Sequence, residues 1–388
     1  METISLLDFP LTSKKGMYVR FKGSFNKFLI KELRKHFKSY KETIEYLKIK
    51  GEKYRVNIKP NRNAICSWIE RGRLPLWIIK EICIKCKIKK DVIDRQTVQY
   101  GLWSPIAVIK PKLPIELDPL FVSIIGNLLG DGCNSKKYSP LYYAQVREEP
   151  VEIFINKIEH IFGKLGGIKR KFNIIKKRNK GINYEVKLPH FIGDILEKYA
   201  QTNQWYAHTS KIPEVIFKEN KESKIAFLSS FIIDEGTVRD NEVHITSINL
   251  RVLKGLKKIT HDLNYESKIH TGKNQRGKYY FLAIKSVTKL YQDLANFISV
   301  YPSLNFEKYR NLETAIKIKQ NKTKYKNLKH KILDILITPK SVKEISRSLL
   351  IREDRTRYYL YKLKNQNKIK VHNQERIFGG HQNTWIHS

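Results

Sequence analysis

A nine-residue motif occurs twice in this chain of 388 residues, and its repetition constrains the fold more than any other feature. The motif reads "IIGNLLGDG" at residues 124–132 and "LSSFIIDEG" at residues 228–236, and the two copies align without a gap. Each copy is followed by strand-like and helix-like segments in the same order. The repeat therefore predicts two similar units of helices and hairpins, related within one chain by an approximate twofold axis.

Small residues occupy equivalent positions in the two motifs. Gly126 and Gly130 lie four residues apart in an apolar run, although each glycine costs a helix up to ~1 kcal/mol relative to alanine. Ser230 aligns with Gly126, and Ser229 precedes it. Close approach of two helices requires small residues along their line of contact. We therefore predict that the two motif helices pack tightly along a seam formed by these residues.

One acid ends each motif immediately before its final glycine. Asp131 aligns with Glu235, so the approximate twofold places both carboxylates at adjoining ends of the two helices. Two such carboxylates repel each other, and a divalent cation with a preference for oxygen ligands, such as Mg²⁺, would relieve this repulsion. Lys187 ends "YEVK" and Lys285 ends "LAIK" at equivalent places downstream, where they could stabilise charge on a phosphate.

The charge of the chain indicates a polyanionic partner. It contains 75 Lys and Arg against 37 Asp and Glu, a formal net charge of +38, and these basic residues are spread along the whole length. Neutralised phosphates release counterions and favour binding, so we predict nucleic acid as the partner. No run approaches the ~18–20 apolar residues of a membrane span. Four cysteines predict a reducing, cytoplasmic compartment.

The segments on either side of the repeat predict two further modules. Residues 1–112 show amphipathic helical spacing, and "NRNAICSWIERGR" is similar to the second helix of a helix-turn-helix. Residues 321–388 predict three helices followed by a hairpin, which resembles a winged helix. Candidate base-reading residues in these modules are Asn61, Arg62, Asn63, Ser67, Arg355, Arg357 and Tyr358. The alternatives are an ordinary helical cap at the N-terminus and a neutral helical bundle at the C-terminus.

The two motifs, each with an acid before a glycine and each followed by a strand lysine, resemble those of the LAGLIDADG homing endonucleases in their single-chain form. The similarity covers roughly residues 115 to 315, within a predicted domain at 113–320. It implies an α+β fold of two αββαββα units whose sheets form a saddle on double-stranded DNA. It also implies hydrolysis of both strands by a monomer with Mg²⁺ or Mn²⁺, and no protein partner is evident.

The resemblance also assigns roles to particular residues. Asp131 and Glu235 would bind the metal, with the carbonyl groups of Gly130 and Asp234 as helpers, and Lys187 and Lys285 would be the catalytic lysines. Strand side chains would read base edges in the major groove. Candidates for this reading are Asn134, Lys136, Gln145, Arg147, Arg170 and Asn173 in the first unit, and Arg239, His244, Asn249, Lys268, Asn274 and Arg276 in the second.

Other functions are compatible with the same fold. A LAGLIDADG domain joined to helix-turn-helix modules can be a sequence-specific DNA-binding regulator that has lost cleavage, and some relatives bind RNA and assist intron splicing. The presence of both motif acids favours an enzyme. An intein is disfavoured, because residues 1–112 predict helices rather than the β-rich splicing fold, and no His-Asn pair ends the chain.

Overall fold

The structure is a computed structural model. It describes residues 2–11, 16–54, 60–102, 107–133, 141–166, 171–172, 184–202, 205, 209–239, 242–274, 277–320, 328–377 and 380–387.

The N-terminal part combines helices with short strands. Its elements are β1 (Thr3–Ile4), β2 (Tyr18–Phe21), α1 (Phe25–Arg34), α2 (Tyr40–Lys53), α3 (Arg62–Glu70), β3 (Arg73–Pro75), α4 (Leu76–Cys86), α5 (Lys90–Gln96), β4 (Thr97–Gly101), β5 (Ala107–Ile109) and β6 (Ile115–Glu116). Side-chain caps begin two of the helices: Ser39 accepts a hydrogen bond from the Glu42 amide, and Asn61 from the Ala64 amide. The prediction of a helical module was incomplete, because strands of two to five residues give too short an alternation to be recognised.

The first central unit has the predicted order of elements. It contains α6 (Pro119–Gly130), β7 (Gly132–Cys133), β8 (Tyr142–Gln145), α7 (Glu148–Phe162), β9 (Lys164–Gly166), β10 (Lys171–Phe172), β11 (Tyr184–Lys187) and α8 (His190–Ala200). Four of its strands form an antiparallel sheet in the order β10-β11-β8-β7. The remaining strand, β9, pairs instead with β5, with Ala107 opposite Gly166, and so extends the N-terminal sheet β3-β2-β4-β5-β9.

The second central unit repeats this topology. After the short helix α9 (Glu214–Lys218), it contains α10 (Lys221–Glu235), β12 (Gly236–Arg239), β13 (Glu242–Ser247), α11 (Leu250–Asp262), β14 (Ser267–Asn274), β15 (Gly277–Ile284) and α12 (Val287–Val300), and α13 (Glu307–Gln320) follows the unit. Its sheet has the order β12-β13-β15-β14, which matches the first unit strand for strand. The prediction of two αββαββα units is therefore confirmed. One continuous hydrophobic core joins both units to the N-terminal part.

The C-terminal part has its own small core, which includes Leu360 and Trp385. Its elements are α14 (Leu328–Ile335), β16 (Lys340–Ser341), α15 (Val342–Leu349), α16 (Glu353–Asn365), β17 (Ile369–Ile377) and β18 (Gly380–His387). The three strands pair in the order β16-β18-β17. A capping box between Ser341 and Glu344 begins α15. Three helices followed by a long hairpin give the winged-helix arrangement expected from the sequence. No helix within the described ranges combines the length and the apolar character that crossing a membrane requires.

Candidate carboxylate site at the helix seam

The motif helices α6 and α10 pack against each other along their small residues. A Cβ atom built on Gly126 would lie 2.8 Å from the Phe227 carbonyl oxygen and 2.9 Å from the Ser230 Cβ. Ser230 also donates a hydrogen bond of 2.7 Å from its hydroxyl across the seam to the Ser123 carbonyl. The two backbones are therefore as close as glycine allows, and the predicted role of the motif glycines is confirmed.

This close packing brings the two motif acids to one place. Asp131 follows the last residue of α6, and Glu235 is the last residue of α10; both side chains are half-buried. Burial raises the pKa of both carboxyl groups, and burial together with the charge of Asp131 raises the pKa of Glu235 from 4.5 to about 7. Two carboxylates that lose water and repel each other favour the binding of a divalent cation, because the cation relieves their repulsion.

Asp234 precedes Glu235 but plays a different part. It lies against Gly130, where a built Cβ would be 2.8 Å from the Asp234 Oδ2. Its carboxylate accepts hydrogen bonds from Asn127 Nδ2, at 3.2 and 3.0 Å, and from the Tyr143 hydroxyl. Burial raises its pKa well above the ordinary value, and the charge of Asp131 adds to this shift. These donors fix the Asp234 side chain inside the seam.

Gln145 contacts the carboxylates directly. Its Nε2 donates hydrogen bonds to Asp131 Oδ2, to Asp234 Oδ1 at 3.3 Å and to the Tyr143 hydroxyl at 3.3 Å. Gln145 and Tyr143 are two residues apart on β8, so both side chains project from the same face of the strand. We predicted Gln145 as a base-reading residue, whereas the structure places its amide at Asp131, because this face of β8 meets the ends of the motif helices.

A buried lysine lies behind this group. Lys157, on α7, is 1% exposed and donates hydrogen bonds to Asn127 Oδ1 at 2.7 Å and to the Ser230 hydroxyl at 3.1 Å. Burial lowers the pKa of its ammonium group from 10.5 to about 7. The sequence contained a signal for it, since Lys157 shares the helical face of Phe154 and Ile161 in an otherwise apolar stripe.

Lys308, at the start of α13, reaches the site from outside both repeats. Its ammonium group donates hydrogen bonds to the carbonyl oxygen of Ile233 at 2.5 Å and to that of Asp234 at 3.1 Å. Its charge lowers the pKa of both Asp131 and Glu235, against the larger effect of their burial. The Asp234 carbonyl, predicted as a helper for the metal, therefore has an ammonium partner. No sequence pattern indicated Lys308, because it lies outside the repeated segments.

The two predicted catalytic lysines occupy equivalent positions but have partners outside the helix seam. Lys187 ends β11 and Lys285 follows β15, as the alignment predicted. Lys187 pairs with Glu185 at 3.5 Å, and Lys285 pairs with Glu266 at 3.2 Å. Their side chains are 57% and 44% exposed, so both ammonium groups stay accessible to a ligand above the sheets.

Three of the predicted base-reading residues have partners within the protein. Arg147 pairs with Glu307, and His244 lies 2.8 Å from Glu242. Asn249 is 5% exposed, caps α11 and donates a hydrogen bond to the Ser210 carbonyl. Asn249 was therefore wrongly predicted as a DNA contact, because an asparagine that follows a strand and precedes a helix serves as a helix cap.

The other predicted DNA contacts fall into three groups. The exposed side chains are those of Asn61, Arg62, Asn63, Lys268, Arg355, Arg357 and Tyr358, and Ser67 is half-buried. Among these, Asn61 also caps α3, and Arg357 pairs with Glu353 at 3.3 Å. Two residues, Arg239 and Asn274, are the last residues of β12 and β14. Five candidates lie outside the described residues: Asn134, Lys136, Arg170, Asn173 and Arg276.

The donors at the seam suit a hard cation bound by few protein ligands. Within the described ranges, no group of three or more His, Cys, Asp and Glu side chains could hold a metal ion. A site here would therefore depend on the carboxylates of Asp131 and Glu235, with oxygen ligands from the backbone, water and a substrate phosphate. Mg²⁺ is commonly bound in this way, through one or two carboxylates and substrate phosphates.

Comparison with known proteins gives one match to a family. Residues 222–299, which run from α10 into α12, match the family model described as LAGLIDADG-like domain. The chain is also 24% identical over 189 residues to ribonucleoside-diphosphate reductase NrdEB subunit alpha of Bacillus subtilis (strain 168), and equally to that of Bacillus phage SPbeta. The matched segment is 45% of this chain, and the chain spans only 17% of the length of these curated relatives.

Two solved structures illustrate the range of similar folds. I-DmoI in complex with DNA and Ca is 16% identical, with 50% of this chain and 97% of that chain covered and a TM-score of 0.33. Full-length DUF199/WhiA from Thermatoga maritima is 11% identical, with coverages of 64% and 90% and a TM-score of 0.33. Similarities at this level carry no argument about activity. The family match covers residues 222–299, within the second of the two αββαββα units, and shows that this part of the chain is similar to a LAGLIDADG-like domain.

Proposed function

We propose that this protein is a site-specific endonuclease that hydrolyses both strands of DNA with a divalent cation, Mg²⁺ or Mn²⁺, held by Asp131 and Glu235. The observation that supports this proposal is that these two carboxylates lie at the adjoining ends of α6 and α10, where burial and the charge of Asp131 raise the pKa of Glu235. Gly126 permits the close packing of the two helices that places the carboxylates there. In an ordinary core helix, a larger residue such as alanine would be more stable at this position.

The side chains around the two acids have complementary tasks. A divalent cation bound there would act as a Lewis acid and lower the pKa of a coordinated water. Gln145 orients the Asp131 carboxylate through a hydrogen bond to its Oδ2. Asn127 and Tyr143 hold Asp234 inside the seam, which fixes the last turn of α10 and with it the position of Glu235.

The charge and architecture of the chain support DNA as the substrate. A formal charge of +38 gives a strong, salt-dependent attraction to phosphates. The two matching sheets would form the saddle on the duplex, and the winged-helix part would extend the contact through α16, where Arg355 and Arg357 are exposed.

A DNA-binding regulator without cleavage is the second candidate, and Lys308 is the observation that favours it. Its ammonium group already supplies a positive charge beside the motif acids. The pairing of Lys187 with Glu185 points in the same direction, because this lysine has a carboxylate partner before any substrate binds.

Selection and cleavage with a DNA library separate the two candidates. Sequences bound by the full chain in Ca²⁺ are isolated and then incubated with Mg²⁺ or Mn²⁺. Wild type is expected to cut both strands, whereas Asp131→Asn and Glu235→Gln should slow cutting by about a hundredfold or more, the scale of losing one charge-stabilising group. Glu45→Gln, at an exposed carboxylate of α2, serves as the matched control. Tight, sequence-specific binding with no cutting in either metal would establish the regulator instead.

A further inference from the structure

Lys308 lies beside both motif acids, although it belongs to neither repeat. It is the second residue of α13, which follows the second αββαββα unit and leads towards the winged-helix part. Its side chain is half-buried, and its Nζ contacts the carbonyl groups of Ile233 and Asp234 at 2.5 and 3.1 Å. The last carbonyl groups of a helix have no partner within it, and a cation is favoured at that end.

The two residues that flank Lys308 in sequence fix its position through their own contacts. Glu307 pairs with Arg147 of the first unit and, at 3.4 Å, with Lys343 of the winged-helix part. Tyr309 stacks on Tyr291 of α12, with ring centroids 5.1 Å apart and planes at 7°. These anchors on both sides hold the backbone of Lys308 beside the end of α10, because its displacement would break contacts to three parts of the chain.

The other lysines near the repeated units have different partners in the part of the chain that the structure describes. Lys187 and Lys285 pair with Glu185 and Glu266 on the sheets. Lys157 is fully buried behind the seam and contacts no motif acid at Asp131 or Glu235.

We propose that Lys308 is the cationic positioning residue of this site. Its hydrogen bonds to the carbonyl groups of Ile233 and Asp234 set the end of α10 and therefore the direction of Glu235. Its charge lies beside the two carboxylates, where it attracts the phosphate of the substrate and weakens the binding of a divalent cation. This inference rests on the proposed function for the identity of the substrate, whereas its effect on cation binding is independent of cleavage.

The two contributions of Lys308 can be separated by three variants. Lys308→Met removes both the charge and the hydrogen bonds, Lys308→Gln retains a donor for the carbonyl groups without the charge, and Lys308→Arg retains the charge. Lys317→Met is the matched control, because Lys317 lies on the same helix, is 56% exposed and pairs with Glu313 away from the site.

The main measurement is Mn²⁺ binding to the full chain without DNA, by electron paramagnetic resonance of free Mn²⁺. Removing a unit charge this close to a divalent site should tighten binding by about tenfold in Lys308→Gln and Lys308→Met, with wild-type affinity in Lys308→Arg and Lys317→Met. Binding of selected DNA in Ca²⁺ and single-turnover cutting are measured in parallel, and both should weaken in Lys308→Gln. If Lys308→Met does not fold, Lys308→Gln carries the comparison.

The outcomes distinguish the inference from the proposed function. If both Lys308→Gln and Lys308→Met have wild-type Mn²⁺ affinity and wild-type cutting, neither the charge nor the hydrogen bonds of Lys308 act on the site, and the positioning role is overturned. If the variants shift Mn²⁺ affinity as expected but wild type never cuts DNA, the positioning role stands and the endonuclease is overturned. If neither wild type nor Lys308→Gln binds Mn²⁺, both are overturned.

Discussion

Replacement of Gly126 by alanine tests whether the seam is closed as tightly as the structure indicates. The new Cβ would lie 2.8 Å from a backbone oxygen of Phe227 and 2.9 Å from the Ser230 Cβ, neither of which can rotate away. Alanine adds ~1 kcal/mol of helix propensity, but overpacking costs about 1–3 kcal/mol, and these rigid contacts lie at its upper end. We therefore expect Gly126→Ala to lower the free energy of unfolding by about 2 kcal/mol.

The matched control is Gly193→Ala on α8. There the new Cβ would lie 3.4 Å from the end of the Leu141 side chain, which is an ordinary contact. This variant should gain up to ~1 kcal/mol, so the two substitutions should differ by about 3 kcal/mol in urea unfolding followed by circular dichroism. Equal slopes of the unfolding free energy against urea are required for the comparison. Equal stabilities of the two variants would refute the close-packed seam.

Two further predictions concern the charges at the seam. Lys157→Met should cost about 3 kcal/mol, because it removes buried hydrogen bonds to Asn127 and Ser230 and a charge that, against the larger effect of burial, lowers the pKa of Asp234. Adding Asp234→Asn should recover at least ~1 kcal/mol, and strictly additive losses in urea unfolding would contradict this coupling. Because the pKa of Glu235 in the fold is raised from 4.5 to about 7, protons compete with a cation below that pH. Ca²⁺ affinity, measured by titration calorimetry, should therefore rise by up to about tenfold per pH unit towards neutrality and then level off. The free energy of unfolding should fall across the same window, since the folded state favours the protonated carboxyl group, and Glu235→Gln should weaken both trends. A Ca²⁺ affinity that stays constant across this window would count against Glu235 as a ligand.

The sequence predicted correctly those parts of the fold in which a residue pattern recurs along the chain. The alignment of Gly126 with Ser230 predicted the seam, because close helix packing restricts the residue type on both sides at once. The winged-helix part was predictable because its helical stripes and its hairpin differ in period. In contrast, the strands of the N-terminal part contain two to five residues, which is too short for a period to show.

The parts of the site that the sequence did not predict depend on tertiary contacts. The residues of β8 alternate, so Tyr143 and Gln145 share a face, but only the packing of the sheet decides that this face meets Asp131. The role of Asn249 was missed for the opposite reason, since its cap is a local interaction that the search for DNA contacts overlooked. Lys308 could not be found from either unit, because α13 has no counterpart in the repeat.

The pairing of β5 with β9 limits how this chain can be divided for experiments. A fragment that starts at the predicted boundary, after residue 112, would lose β5 and leave the edge of β9 without its partner. Unpaired strand edges promote association with other chains. The same deletion would remove Thr3 and Ile4, which pair with the strand just before α6. Fragments that contain the two central units should therefore retain the N-terminal sheet, and aggregation of a shorter fragment would reflect an exposed edge rather than an unstable site.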